Sequence, residues 1–177
     1  MKKLLIALAC AVMTLASTAA MAAPDPENTL YIDLKDGRVV IEMRPDLAPQ
    51  HVARIKELTR QGFYDGLTFH RVIPGFMAQT GDPQGNGMGG SGKNIPAEFN
   101  GTPFDRGAVG MARSESPNSA DSQFFITFKP SHFLNGKYTV WGTVVEGMEF
   151  VDRIAPGEPP ILPDKIVKMQ IAAEAKS

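Results

Sequence analysis

From residue 29 onward the chain alternates apolar and polar positions with a period of two, and glycine, proline, asparagine and aspartate interrupt it at short intervals, the pattern of a chain built from short strands. Residues 29–34 and 38–43 are β-rich and are separated by Lys35 Asp36 Gly37, whose Asp-Gly pair predicts a hairpin. A helical period takes over at 49–60, with Pro49 in the first turn, Val52, Ile55 and Leu58 on one stripe, and Gly62 placed to end it. Arg54, Lys56, Glu57 and Arg60 form its wet face, and His51 reads as a surface residue. Strands are predicted at 68–73, 77–80, 107–112, 123–127 and 140–145, then a short helix at 148–154. A closing strand at 166–172 sets Val167, Met169 and Ile171 against Lys168 and Gln170. Within 123–126 the same alternation puts Gln123 and Phe125 on one face and Phe124 and Ile126 on the other. By the same rule His70 points away from Arg71 and reads as structural, while Trp141 reads as strand packing. Pattern alone yields a mainly β domain with two helices, and the glycine-rich stretch 81–92 is its one loose segment.

The amino terminus changes the picture of where this domain resides. Met1 Lys2 Lys3, an apolar run from Leu4, and small residues ending in Ala20 Met21 Ala22 have the three parts of a secretory leader with an A-x-A cleavage site. The run is shorter than the roughly 20 residues a membrane span needs and is followed at once by Pro24 Asp25 Pro26 Glu27 Asn28. Residues 1–22 are therefore expected to be removed, residues 23–28 to be a disordered lead, and residues 29–177 to form a single domain. Cys10, the only cysteine, leaves with the leader, so the mature chain has no thiol for an oxidising compartment to act on. The short basic start and alanine-rich end point to a bacterial periplasm. The chain carries 18 basic and 19 acidic residues. Loss of Lys2 and Lys3 leaves 16 basic residues and a net charge of about −3, which argues against nucleic acid or an anionic membrane as partner.

Several kinds of chemistry are excluded by spacing. Gly87 Met88 Gly89 Gly90 Ser91 Gly92 Lys93 approaches a phosphate-binding loop but has Asn94 where Ser or Thr is needed, and Pro96 prevents a following helix. His51, His70 and His132 are far apart and have no ligand spacing for a metal, and no G-x-S-x-G nucleophile elbow occurs. What remains is Phe69 His70 Arg71 Val72 Ile73 Pro74 Gly75 Phe76 Met77 Ala78 Gln79 Thr80 Gly81 Asp82, a lone cation among apolar side chains without a nucleophile. Downstream lie Gly110 Met111 Ala112 Arg113, Ser122 Gln123 Phe124 Phe125 Ile126 Thr127, and Phe133 Leu134 Asn135 Gly136 Lys137. On these segments the chain, from about residue 29 to about residue 173, resembles the cyclophilin family of peptidyl-prolyl cis-trans isomerases.

The resemblance implies a closed eight-stranded antiparallel β-barrel with a helix over each open end, and an exported isomerase that needs no cofactor and no metal. Its partners would be proline-containing polypeptides, met by a monomer. Isomerisation must weaken an amide resonance worth roughly 18–20 kcal/mol. A donor aimed at the proline nitrogen, which regains a lone pair as the bond twists, favours the transition state over both planar states. Arg71 suits that role because a guanidinium is permanently charged and cannot act as acid or base, and the family motif assigns its catalytic arginine to the same position. Phe76, Met77, Phe125 and Leu134 offer an apolar pocket for the ring. Gln79 can bond a peptide carbonyl and orient Arg71, the resemblance carries a binding role onto Gln123, and the Ala112–Arg113 backbone resembles the strip that pairs with the residue before proline. Phe133 and Tyr138 depart from the tryptophan and histidine of cyclophilins that bind cyclosporin tightly, so weak cyclosporin binding is expected. Arg113 stands where asparagine is common. A proline-binding module that holds without catalysing, and a purely structural envelope protein, are the competing readings.

Overall fold

The computed structural model describes residues 25–175, and the leader read at 1–22 lies outside the described residues. Within them the order is β1 (Thr29–Leu34), β2 (Gly37–Met43), α1 (Pro49–Arg60), β3 (Arg71–Ile73), β4 (Met77–Thr80), β5 (Ala108–Met111), β6 (Phe124–Thr127), β7 (Val140–Glu146), α2 (Met148–Val151) and β8 (Lys168–Ile171). Every expected strand and both helices are present within three residues of their predicted limits. In the β1–β2 hairpin Leu30 faces Ile41 and Ile32 faces Val39. These four side chains are almost wholly buried, each contributing on the order of 1.5–3 kcal/mol by leaving water. Gly37 opens β2, and a Cβ there would lie 2.3 Å from the Phe150 ring, so glycine at this position lets α2 approach the hairpin.

All the ladders are antiparallel, and the sheet runs β3-β4-β6-β5-β7-β2-β1-β8. It curls into a half-barrel, and the closed barrel that the family resemblance implied is not completed by a ladder among the described residues, where β3 and β8 remain edges. Loop segments seal the seam instead. Thr68 bridges Lys165, the Ile166 amide donates to Leu67 O at 2.9 Å, and Val72 and Gly157 exchange both backbone bonds at 2.8 and 2.9 Å. The main core lies inside the curl, where Phe124 meets Trp141 and Tyr64 edge to face at 5.5 and 5.6 Å. Val52, Ile55 and Leu58 of α1 and Val151 of α2 close onto the same cluster.

The structure corrects several details. His51 and Arg54, read as surface residues of α1, are buried. Ala48 offers no side-chain cap, and Glu98 crosses to take the Gln50 and His51 amides at 3.1 and 3.0 Å and His51 Nδ1 at 2.6 Å. Arg54 donates to Glu57 at 2.7 Å and to Ser91 at 2.6 Å, and Ser91 in turn bonds Asp121. Val167 is exposed, because the chain bends there before β8 begins, and Ile166 is buried in its place. Residues 25–28, expected as part of a disordered lead, form a turn of 3-10 helix over Pro26–Asn28, capped by Asp25 and bonded through Asn28 to Lys56.

Burial pushes the Glu98 carboxyl up, but the His51 ring and the two amides outweigh it and hold the group below its ordinary value. Burial also holds His51 below its ordinary value, against the pull of Glu98, so the neutral ring donates through Nδ1. Both groups favour folding at neutral pH. The His51 contribution falls away as the pH drops below 6.5 and that of Glu98 as it drops below 4.5, each being lost through its lower folded-state pKa. Glu98→Ala is expected to lower stability by about 1–3 kcal/mol at pH 7, with the gap to the parent narrowing below pH 4.5. Urea denaturation across a pH series measures both.

Candidate active site

The outer face of β4, β5 and β6 is not bare. Strand alternation sends Ala78, Phe124 and Ile126 into the main core and turns Met77 and Phe125 outward, where they join Phe104, Leu134 and Val140 in a second apolar cluster. The split of Phe124 from Phe125 is the one expected from the sequence. Phe104 and Phe125 stack with centroids 5.6 Å apart, and a Cβ on Gly110 would fall 2.5 and 2.6 Å from the two rings. This cluster floors a cavity of about 580 Å³, and Phe76 and Phe133, 5.4 Å apart, flank it. Phe133 stands at the rim, its side chain largely open to solvent.

Cross-strand register places the polar groups. Arg71 faces Gln79, Gln79 faces Phe125 and Phe125 faces Gly110, one row across four strands. Arg71 Nη1 lies 3.4 Å from Gln79 Oε1, Gln79 Nε2 donates to Gln123 Oε1 at 2.9 Å, and Gln123 Nε2 donates to the Gly87 and Gly89 carbonyls at 3.0 and 2.8 Å. The glycine segment that supplies those carbonyls was expected to be loose. It is tied down by the buried Asp82 carboxylate, which accepts from the amides of Gln84, Asn86 and Gly87 at 2.8, 3.0 and 2.6 Å. Burial raises the Asp82 pKa, but these amides outweigh it and the group stays below its ordinary value.

Of the residues expected in the site, Arg71, Phe76, Met77, Gln79, Ala112, Arg113, Phe125, Phe133, Leu134 and Tyr138 line the cavity. Gln123 does not. It stands behind Gln79 and borders a smaller neighbouring cavity. The Arg113 guanidinium is engaged by the carbonyls of Lys137, Ser114 and Glu115 and lies 4.6 Å over the Tyr138 ring. Its side chain thus builds the rim, and among the described residues no partner takes the Arg113 backbone N–H or C=O.

Six lining residues were not expected, Gly85, Asn86, Gly87 and Pro159 from loops and the two ionisable groups Glu158 and His70. Glu158, on the seam loop, accepts from Arg71 Nε at 2.7 Å, and a partner 87 residues away leaves no local pattern. His70, expected to point away from Arg71, lines the same cavity, because residue 70 precedes β3 and strand alternation does not govern it. Its ring is buried and neither nitrogen has a partner among the described residues. Burial holds its pKa below the ordinary value despite the nearby Asp82. Among the described residues, the cavity lining contains no serine, threonine, cysteine or lysine, and no three His, Cys, Asp or Glu side chains are grouped as metal ligands.

The model of the cyclophilin type peptidyl-prolyl cis-trans isomerase family matches residues 29–171. A probable peptidyl-prolyl cis-trans isomerase of Brucella suis is 52% identical over 189 aligned positions, covering 97% of this chain and 96% of that protein. The crystal structure of a cyclophilin from Hirschia baltica superposes with a TM-score of 0.80 at 30% identity, covering 86% of this chain and 76% of that one. A cyclophilin type isomerase of Cryptosporidium parvum, crystallised in the presence of the dipeptide Ala-Pro, gives 0.76 at 30% identity over 81% of this chain and 98% of its own. The chain belongs to the cyclophilin family of peptidyl-prolyl cis-trans isomerases.

Proposed function

We propose that this isomerase acts on X-Pro bonds of exported, unfolded or partly folded proteins, with Arg71 as the donor to the proline nitrogen. The observation that carries this reading is a guanidinium held on two sides at the wall of an apolar cavity whose lining, among the described residues, offers no hydroxyl, thiol or amine nucleophile apart from the phenol of Tyr138. The proline ring enters between Phe76, Met77, Phe125 and Leu134. The backbone of the preceding residue pairs with the Arg113 N–H and C=O, and Gln79 receives or offers a hydrogen bond beside it. Main-chain pairing makes the enzyme tolerant of sequence, since every substrate has the same backbone. As the X-Pro bond twists, the nitrogen lone pair turns toward Arg71, and a charge-assisted hydrogen bond forms that neither planar isomer makes. The presence of Ala-Pro with the Cryptosporidium parvum relative supports a proline-containing ligand.

Arg71→Ala is expected to lower kcat/KM by about 10²–10³-fold, with thermal unfolding unchanged because the side chain is half exposed. Arg71→Lys should recover only part of the loss, since an ammonium lacks the planar fork. A protease-coupled assay on a short X-Pro peptide decides this, and parental turnover by Arg71→Ala would remove Arg71 from the mechanism.

Phe133 closes the pocket wall without an indole N–H, which supports weak cyclosporin binding. Phe133→Trp should tighten cyclosporin inhibition by about 3- to 10-fold, the worth of one neutral hydrogen bond, and inhibition titrations measure it. The periplasmic assignment rests on residues 1–22. Amino-terminal sequencing of the protein from a periplasmic fraction should read Ala23 Pro24 Asp25, and an unprocessed chain confined to the cytosol would overturn it.

A further inference from the structure

We infer that Glu158 is a positioning residue for Arg71, an anchor that fixes the orientation of the guanidinium from the side opposite Gln79. The inference rests on the reading of Arg71 as the donor. Glu158 Oε2 takes the Nε–H of Arg71 at 2.7 Å, while Gln79 Oε1 lies 3.4 Å from Nη1. Nη2 has no partner among the described residues and is the donor left for a substrate. Capture of Nε matters because this nitrogen sits where the rigid guanidinium plane joins the flexible stem. A carboxylate there restrains the last rotation of the chain, which Gln79 alone, at the edge of hydrogen-bond range, would hold weakly.

Glu158 is itself held in place. Gly157 exchanges both backbone bonds with Val72, the residue after Arg71, which fixes the register of the loop on β3. Pro159 and Pro160 stiffen the following backbone, and a Cβ on Gly157 would lie 2.5 Å from Pro160 Cα. Ala155 N donates to Asp164 at 2.8 Å on the other side of the loop. The carboxylate, half exposed, is therefore carried on anchored backbone. An exposed ion pair of this kind adds little to stability. Its value lies in the ordering entropy removed from Arg71 before the substrate arrives.

Three variants test this with the full mature chain. Glu158→Ala should lower kcat by about 3- to 10-fold with KM for the X-Pro peptide unchanged, the signature of an interaction felt in the transition state. Its thermal unfolding should match the parent. Glu158→Gln, which keeps an oxygen acceptor for Nε–H, should recover most of that loss. In an Arg71→Ala background, Glu158→Ala should cost nothing further, because its only route to the reaction has been removed. Unchanged or raised kcat in Glu158→Ala overturns the inference, as does a glutamine variant no better than alanine or a further loss in the double variant. These results are separable from failure of the donor assignment: an active Arg71→Ala sinks both readings, whereas an inactive Arg71→Ala beside a fully active Glu158→Ala sinks only this one.

Discussion

The antiparallel register of β3, β4, β6 and β5 sets Arg71, Gln79, Phe125 and Gly110 in one row, and both the core and the site depend on it. Successive residues of a strand face opposite sides, so the demand of the main core for Ala78, Phe124 and Ile126 also decides that Met77, Gln79 and Phe125 face out. A slip of one residue in the β4–β6 ladder would bring Phe124 to the cavity and expel Phe125 into the core. The cavity face therefore draws its precision from the burial energy of the other face. Gly110 completes the arrangement by leaving out a side chain where the stacked Phe104 and Phe125 rings need the space.

The polar half of the site has a different support. It is a relay of hydrogen bonds that begins at the Asp82 carboxylate, passes through glycine carbonyls to Gln123 and Gln79, and ends at Arg71. Its bonding groups are donors and acceptors set before any substrate arrives, which is the condition under which a hydrogen bond costs no reorganisation during the reaction. Asp82 is the base of this relay. Without it the amides of Gln84, Asn86 and Gly87 would lack their acceptor, and the carbonyls that hold Gln123 would have no fixed position.

Much of this was legible in the chain because the signals are local. The period of two in β1, β2 and β6, the stripe and terminal Gly62 of α1, and the separation of Phe124 from Phe125 all follow from neighbours within a few residues. Several of the failures share a cause. His51, Arg54 and Arg71 have partners 47, 37 and 87 residues away, and no spacing rule links a helix stripe or a strand to such a carboxylate or hydroxyl. His51 and Arg54 have polar side chains and so read as wet, although Glu98 and Ser91 satisfy them inside the fold. The loop after Gly81 reads as slack from its glycines, since composition does not reveal that one carboxylate gathers three of its amides. A closed barrel was expected from the family pattern, but the ladder stops at β3 and β8 and leaves the last join to loops.

That last join has a mechanical meaning. The chain crossing at Gly157 zips the loop onto Val72 and, one residue later, presents Glu158 to the guanidinium beside it. Sealing the seam and anchoring Arg71 are thus a single closure, made by one stretch of backbone. Breathing of the barrel at this edge would loosen the anchor before it disturbed Phe124 or Trp141 in the centre. On the proposed role of Arg71, the rate of turnover would then report how tightly the sheet's open margin is held.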